Sequence, residues 1–134
     1  MTPTARSLQY IRGMGFTAQV VERFNPFAKV RQDLFGCIDL IACIPAVGIL
    51  GIQACAGASH AARRAKAIAE PRLRDWMRCG GKFEVWSWTK RGPRGKRKAW
   101  SLRRDVVCID ELAEVAGPSV DGYAAAVAAA TEVP

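Results

Sequence analysis

The order of helix and strand signals predicts a single domain that mixes α and β structure, an α/β (α+β) fold. Three observations carry this expectation. A segment with a hydroxyl-plus-proline start and apolar spacing of three opens the chain. Two short apolar runs, Cys37 to Cys43 and Gly48 to Cys55, follow one another and lead into a basic, helix-forming segment. A period-two segment, Lys82 to Thr89, is answered after a glycine–proline loop by a second strand. The 134 residues suffice for one core.

Each element has a local reason. Thr2 is a good N-cap and Pro3 fits the first helical position. Ala5, Leu8 and Ile11 predict the helix's core face, and Gly13 and Gly15 stop it. Phe16 to Phe24 reads as one strand, and Asn25-Pro26-Phe27 as a turn. Gly36 permits a bend or bulge before Cys37. Ile44 to Val47 is a tight connection into a strand over Ile49 to Cys55. Ala56-Gly57-Ala58 allows close backbone approach, and Ser59 is the expected N-cap of a helix to about Ala69. On that helix His60, Arg63, Arg64 and Ala67 share one face, and Ala61, Ala65 and Ile68 are expected to face the core. Pro71 starts another helix, with Leu73, Trp76 and Met77 inward, that Gly80-Gly81 ends. The hairpin spans 82–107. From Asp110 an acidic helix ended by Gly117-Pro118 is expected, then an alanine-rich helix or tail to residue 134. The core domain is thus placed at 1–109 and the C-terminal piece at 110–134.

The stretch Asp33 to Lys66 carries the chemistry. Asp39 lies inside an apolar run, and Gln53 lies inside the next. A buried carboxylate is costly unless paired or bound to a cation. Two neighbouring strands bring such oxygens together, which is the skeleton of a divalent-metal site. Local capping of Asp39 and backbone bonding of Gln53 is the alternative. Asp33 shares a face with Asp39 if the strand is unbroken, and a bulge at Gly36 breaks that parity. Glu22 is either an ordinary surface residue or a further carboxylate of the site.

Charge is unevenly spread. Residues 59–105 carry fifteen basic and four acidic side chains; residues 106–134 carry no basic and five acidic ones. A basic middle third suits a polyanion, with a merely basic surface as the alternative. Lys90, Arg91, Arg94, Lys96, Arg97 and Lys98 form a positive hairpin tip able to lie along a phosphate backbone. Arg63, Arg64 and Lys66 on the preceding helix form a phosphate seat or a solvated face. Trp86, Trp88 and Trp100 either stack on bases or pack the sheet. Five cysteines without a C-x-x-C pair read as buried free thiols of a reducing compartment. With no signal-like segment, a cytoplasmic location is expected. Leu40 to Ala58 is uncharged for 19 residues, yet Pro45, three glycines and Gln53 favour a buried hairpin over a membrane helix.

The opening helix ending in G-M-G-F, the strand with Glu22, D-L-F-G-C-I-D-L-I-A, G-I-L-G-I-Q-A-C and the helix after them resemble the PD-(D/E)XK nuclease superfamily, nearest to small archaeal and phage Holliday-junction resolvases. The resemblance covers about half the chain. It implies a restriction-endonuclease-like mixed β-sheet flanked by helices and Mg²⁺- or Mn²⁺-dependent hydrolysis of a DNA phosphodiester in a bacterial or phage-infected cell. It places Asp39 as the metal-binding Asp, Gln53 at the second ligand position, the Ala54 carbonyl between them, and Cys55 where the motif has Lys. Gln removes one negative charge from the site, and Cys cannot stabilise an anionic transition state. Asp33 or Glu22 would restore the carboxylate, and Arg63, Arg64 or Lys66 the cation. The expected protein is a DNA endonuclease acting on duplex or branched DNA, with substrate choice set by DNA shape and homodimer geometry. The alternative is an inactive nuclease-fold module that binds nucleic acid, and a third reading is a single-strand RNA binder using the Trp-bearing hairpin.

Overall fold

A computed structural model describes residues 1–114 and 120–131. Helix α1 (Pro3–Gly13) starts as expected, with the Thr2 side chain accepting a hydrogen bond from the Ala5 N–H. Strands β1 (Thr17–Val20), β2 (Arg23–Asn25) and β3 (Val30–Gln32) follow, then β4 (Leu40–Ile44) and β5 (Gly48–Ala56). Helices α2 (His60–Ile68) and α3 (Pro71–Arg78) precede β6 (Lys82–Arg91), β7 (Ala99–Val107) and α4 (Val120–Thr131). The main sheet has the order β1-β4-β5-β6-β7; β5 and β6 run parallel and the other neighbours antiparallel. β2 and β3 form a separate two-stranded ribbon.

Helices cover both faces of the sheet. Ile11 of α1 packs with Ala18, Leu40, Leu50, Ile52 and Trp86 on one side. Ala67 of α2 and Leu73 of α3 pack with Cys55, Phe83, Val85 and Val107 on the other. Full burial of such side chains contributes about 1.5–3 kcal/mol each. Strand β6, between β5 and β7, is therefore buried on both faces from Phe83 to Trp88. Its Glu84 carboxylate accepts hydrogen bonds from Arg104 (2.8 and 3.1 Å) and from the Trp86 indole (3.1 Å). Trp86 and Trp88 meet Tyr10 of α1 edge-on, with ring centroids 6.0 and 5.7 Å apart, so these two tryptophans pack the sheet.

Several local expectations are corrected. The strand expected over Phe16 to Phe24 breaks after Val20, because the Val21 and Glu22 N–H groups both donate to the Asp39 carbonyl, two residues against one as in a β-bulge. On α1 the buried positions are Thr4, Ser7 and Ile11, while Ala5 is exposed. Ser7 earns its burial by bonding to the Pro3 carbonyl and accepting the Trp88 indole N–H. On α2 the buried positions are His60 and Ala67, and Ala61 and Ala65, expected inward, are exposed; Ile68 packs half-buried against the core as expected. A short 3-10 turn, Gly57–Ser59, leads into α2, and Ser59 makes no side-chain capping bond. Among the described residues a 3-10 turn, Ile109–Glu111, stands where the acidic helix was expected to start; residues 115–119, with the Gly117-Pro118 stop, lie outside them. Leu112 is buried with the α2–α3 face, so the body runs past residue 109. Of the five free cysteines, Cys37 and Cys55 are buried but Cys43, Cys79 and Cys108 are exposed. The uncharged stretch forms the β4–β5 hairpin, and among the described residues no helix is long and apolar enough to cross a membrane.

Candidate active site

The sheet forks at Asp39. The Asp39 N–H donates to the Ile52 carbonyl at 2.8 Å, which closes the β4–β5 ladder. β5 runs on to Ala56 with β6 beside it. The chain before Asp39 folds away through a tight turn bridged by Leu34 and Ile38. Phe35 and Gly36 adopt left-handed φ of 54° and 75° there. Glycine adopts this dihedral without strain, and a Cβ on Gly36 would lie 2.8 Å from a Glu70 carboxylate oxygen, at the end of a side chain that can swing aside. Asp33 and Asp39 therefore meet across a turn, not along one strand face.

At the fork, Asp39 is 3 % exposed and Gln53 1 %. One Asp39 oxygen, Oδ2, accepts from Gln53 Nε2 at 2.6 Å and from the Ala54 N–H at 2.8 Å. Gln53 Oε1 is buried with no hydrogen-bond partner. Leaving such an oxygen unpaired costs about 1–3 kcal/mol. Glu22 and Asp33 bring carboxylate oxygens that lie, with one from Asp39, within 4.8 Å of one another. Glu22 is tied to Arg31 at 3.1 Å. Burial pushes the Asp39 carboxyl up to about 8; a hydrogen bond shared with Asp33 and the charges of Asp33 and Glu22 add to the rise, and the Ala54 N–H opposes it. Three carboxylates this close hold a proton or a cation between them.

These groups line a cleft of about 420 Å³ that also takes in Pro3 and Thr4 of α1, Cys55, Arg63 and Lys66. Arg63 and Lys66 are exposed on α2. Burial pushes the Cys55 thiol up, against the pull of Arg63, so Cys55 brings no charge to the cleft. The metal the resemblance implies fits this donor set. Carboxylates and a buried, unpaired amide oxygen are hard oxygen donors of the kind Mg²⁺ and Mn²⁺ take.

Arg64 is directed elsewhere. It pairs with Asp105 at 3.0 Å and with Glu111. His60, 3 % exposed, bridges Ser87 Oγ through Nδ1 at 2.7 Å and Asp105 Oδ2 through Nε2 at 2.8 Å. Although burial opposes it, His60 and Arg64 hold the Asp105 carboxyl below its ordinary range. The order Ser–His–Asp resembles a hydrolytic triad. Ser87 is 2 % exposed and Arg64 shares the aspartate, so this network serves to fasten α2 to β6 and β7. With that face fixed inward, Arg63 and Lys66 are turned to the cleft. Sequence reasoning missed the network because Asp105 lies 45 residues from His60 and no spacing rule links them.

The basic hairpin stands at the same end of the sheet. β5 and β6 are parallel, Ala56 is level with Trp88, and the loop continues from there. Lys90, Arg91, Arg94, Lys96, Arg97 and Lys98 are all exposed, and among the described residues none joins a salt bridge. Comparison of the chain with protein families, with curated proteins and with solved structures finds no significant match.

Proposed function

We propose that the protein is a divalent-metal-dependent DNA endonuclease with a restriction-endonuclease-like core. The observation that carries this reading is the meeting of Glu22, Asp33 and Asp39 in a cleft that Gln53, Arg63 and Lys66 also line. The mixed sheet between α1 and the α2–α3 layer agrees with the layout the resemblance implies.

Glu22, Asp33, Asp39 and Gln53 Oε1 would hold the ion. When bound, it supplies Lewis-acid polarisation of the phosphate and a more acidic water. The chain's own residues do the rest. Glu22 and Asp33 replace the carboxylate that Gln53 lacks. Gln53 Nε2 and the Ala54 N–H fix the orientation of Asp39. Arg63 or Lys66 offsets negative charge that develops on the phosphate oxygens, the role Cys55 cannot fill. The hairpin cations Lys90 to Lys98 hold the flanking backbone without reading bases. In the hydrolysis a water oxygen bonds to phosphorus and one P–O ester bond breaks.

The test is cleavage of labelled duplex, single-stranded, flap and four-way-junction DNA with Mg²⁺ or Mn²⁺, alongside Asp39→Ala, with gel shifts for both proteins. Metal-dependent cutting lost in the variant is expected. Salt-sensitive binding without cutting under either metal would overturn the enzyme reading in favour of a binding module. The neutral Gln53 and Cys55 positions favour that second reading.

A further inference from the structure

The β2–β3 ribbon stands apart from the main sheet. Its two ends are Glu22 and Asp33, two of the three clustered carboxylates. Its tip displays Phe27, 97 % exposed, with Phe24 at 59 % and Val30 at 49 %. The tip is a built turn: Asn25 Oδ1 accepts the N–H groups of Phe27 (3.0 Å) and Ala28 (3.2 Å), and Lys29 takes a left-handed φ of 53°. The aromatic ring is thus held outward. Residues 23–32 carry Arg23, Lys29 and Arg31 and no acid.

We infer that this ribbon is a wedge that enters DNA, with Phe27 inserting at a base step several steps along the duplex from the cleaved phosphate. The inference rests on the nuclease reading and adds to it how the DNA is held. Apolar wedges flanked by cations are a known way to unstack and kink a duplex. Charge complementarity names this occupant: Arg23 and Lys29, both exposed and in no salt bridge among the described residues, flank the aromatic tip, while Arg31 is held by Glu22. The ribbon also sets a distance. At about 3.3 Å per strand residue, the five residues from Glu22 to Phe27 span roughly 15 Å, or about four to five base steps of 3.4 Å. The inserted step therefore lies about that far from the phosphate at Asp39. Unstacking costs least where pairing is already weak, so a mismatch or bulge placed there improves binding.

The test uses duplexes with 2-aminopurine at single positions along one strand, titrated in Ca²⁺ with wild type, Phe27→Ala and Phe27→Trp. Binding is followed separately by anisotropy. Wild type is expected to raise the fluorescence several-fold at one or two adjacent positions. Phe27→Ala removes that signal and weakens Kd by about tenfold, within the range of a lost base–aromatic stack. Phe27→Trp restores both. Phe27 is almost fully exposed, so the variants fold, which circular dichroism checks. If wild type binds and cuts DNA but Phe27→Ala gives the same 2-aminopurine profile, the wedge is refuted and the nuclease reading stands. If wild type binds no DNA, both fall. If sedimentation shows a dimer that Phe27→Ala dissociates while the fluorescence profile is unchanged, the ribbon is a self-contact and the inference is overturned.

Discussion

Replacing Asp39 with Asn should remove most of the metal-free protein's pH dependence of stability between pH 5 and 8. In the folded chain burial, with the Asp33 and Glu22 carboxylates beside it, pushes the Asp39 carboxyl up to about 8 from an ordinary 3.8. A folded-state value above the unfolded one means that the native state binds the extra proton. The Asp39 contribution to stability is then full below about pH 4 and is lost as pH rises towards 8. Between pH 5 and 8 the loss approaches about 1.4 kcal/mol per pH unit, an upper bound of about 4 kcal/mol. For a domain of this size that is on the order of 10 °C in Tm. Asp105, Glu70 and Glu111 are all held below their ordinary range, so their contribution is complete by about pH 5. Asn at position 39 keeps the bonds to Gln53 and Ala54 and offers N–H groups to Asp33, as a protonated Asp39 would. Thermal denaturation in EDTA should show Tm falling from pH 5 to 8 in wild type and nearly level in Asp39→Asn. Saturating Mg²⁺ should raise wild-type Tm more at pH 8 than at pH 5; at a concentration 100 times Kd the gain is about 2.7 kcal/mol. The reasoning is refuted if the variant keeps the wild-type slope, or if wild type gains stability through that window.

Gly36→Ala should destabilise by about 1–2 kcal/mol through the left-handed φ, and should weaken Mg²⁺ binding because Asp33 loses its place; calorimetry with Mg²⁺ and chemical denaturation read the two effects. His60→Ala should cost about 2–4 kcal/mol in guanidinium unfolding, since Ser87 and Asp105 lose a buried partner and a cavity forms; a loss under 1 kcal/mol would show that α2 is fastened by other contacts. Lys96, Arg97 and Lys98 changed together to Ala should leave Tm unchanged and reduce the slope of log K against log salt by about 2–3 for duplex DNA; an unchanged slope would remove the hairpin from the DNA interface.

Much of this architecture was legible locally. Thr2-Pro3, the β4–β5 hairpin, the α3 boundaries and the Lys82–Val107 hairpin follow from capping, turn chemistry and period-two alternation, which act over a few residues. Gln53 and Asp39 stood out because a polar side chain in an apolar run must find a partner. The faces of α2 did not follow, because alanine is nearly indifferent to exposure and the burial of His60 depends on Ser87 and Asp105, far away in the chain. Nor did the commitment of Arg64, for the same reason. By itself the sequence determined α1, the β4–β5 hairpin, the spans of α2 and α3 and the β6–β7 hairpin, and which residues carry candidate metal-binding oxygens and the positive charge of the hairpin tip. Only the tertiary structure decided that Glu22, Asp33 and Asp39 meet, that Arg63 and Lys66 face them, and that Phe27 stands out on a ribbon between two of those carboxylates. Propensity acts between neighbours in the chain, whereas a charge cluster forms where a bulge at Glu22 and a left-handed turn at Gly36 redirect the backbone.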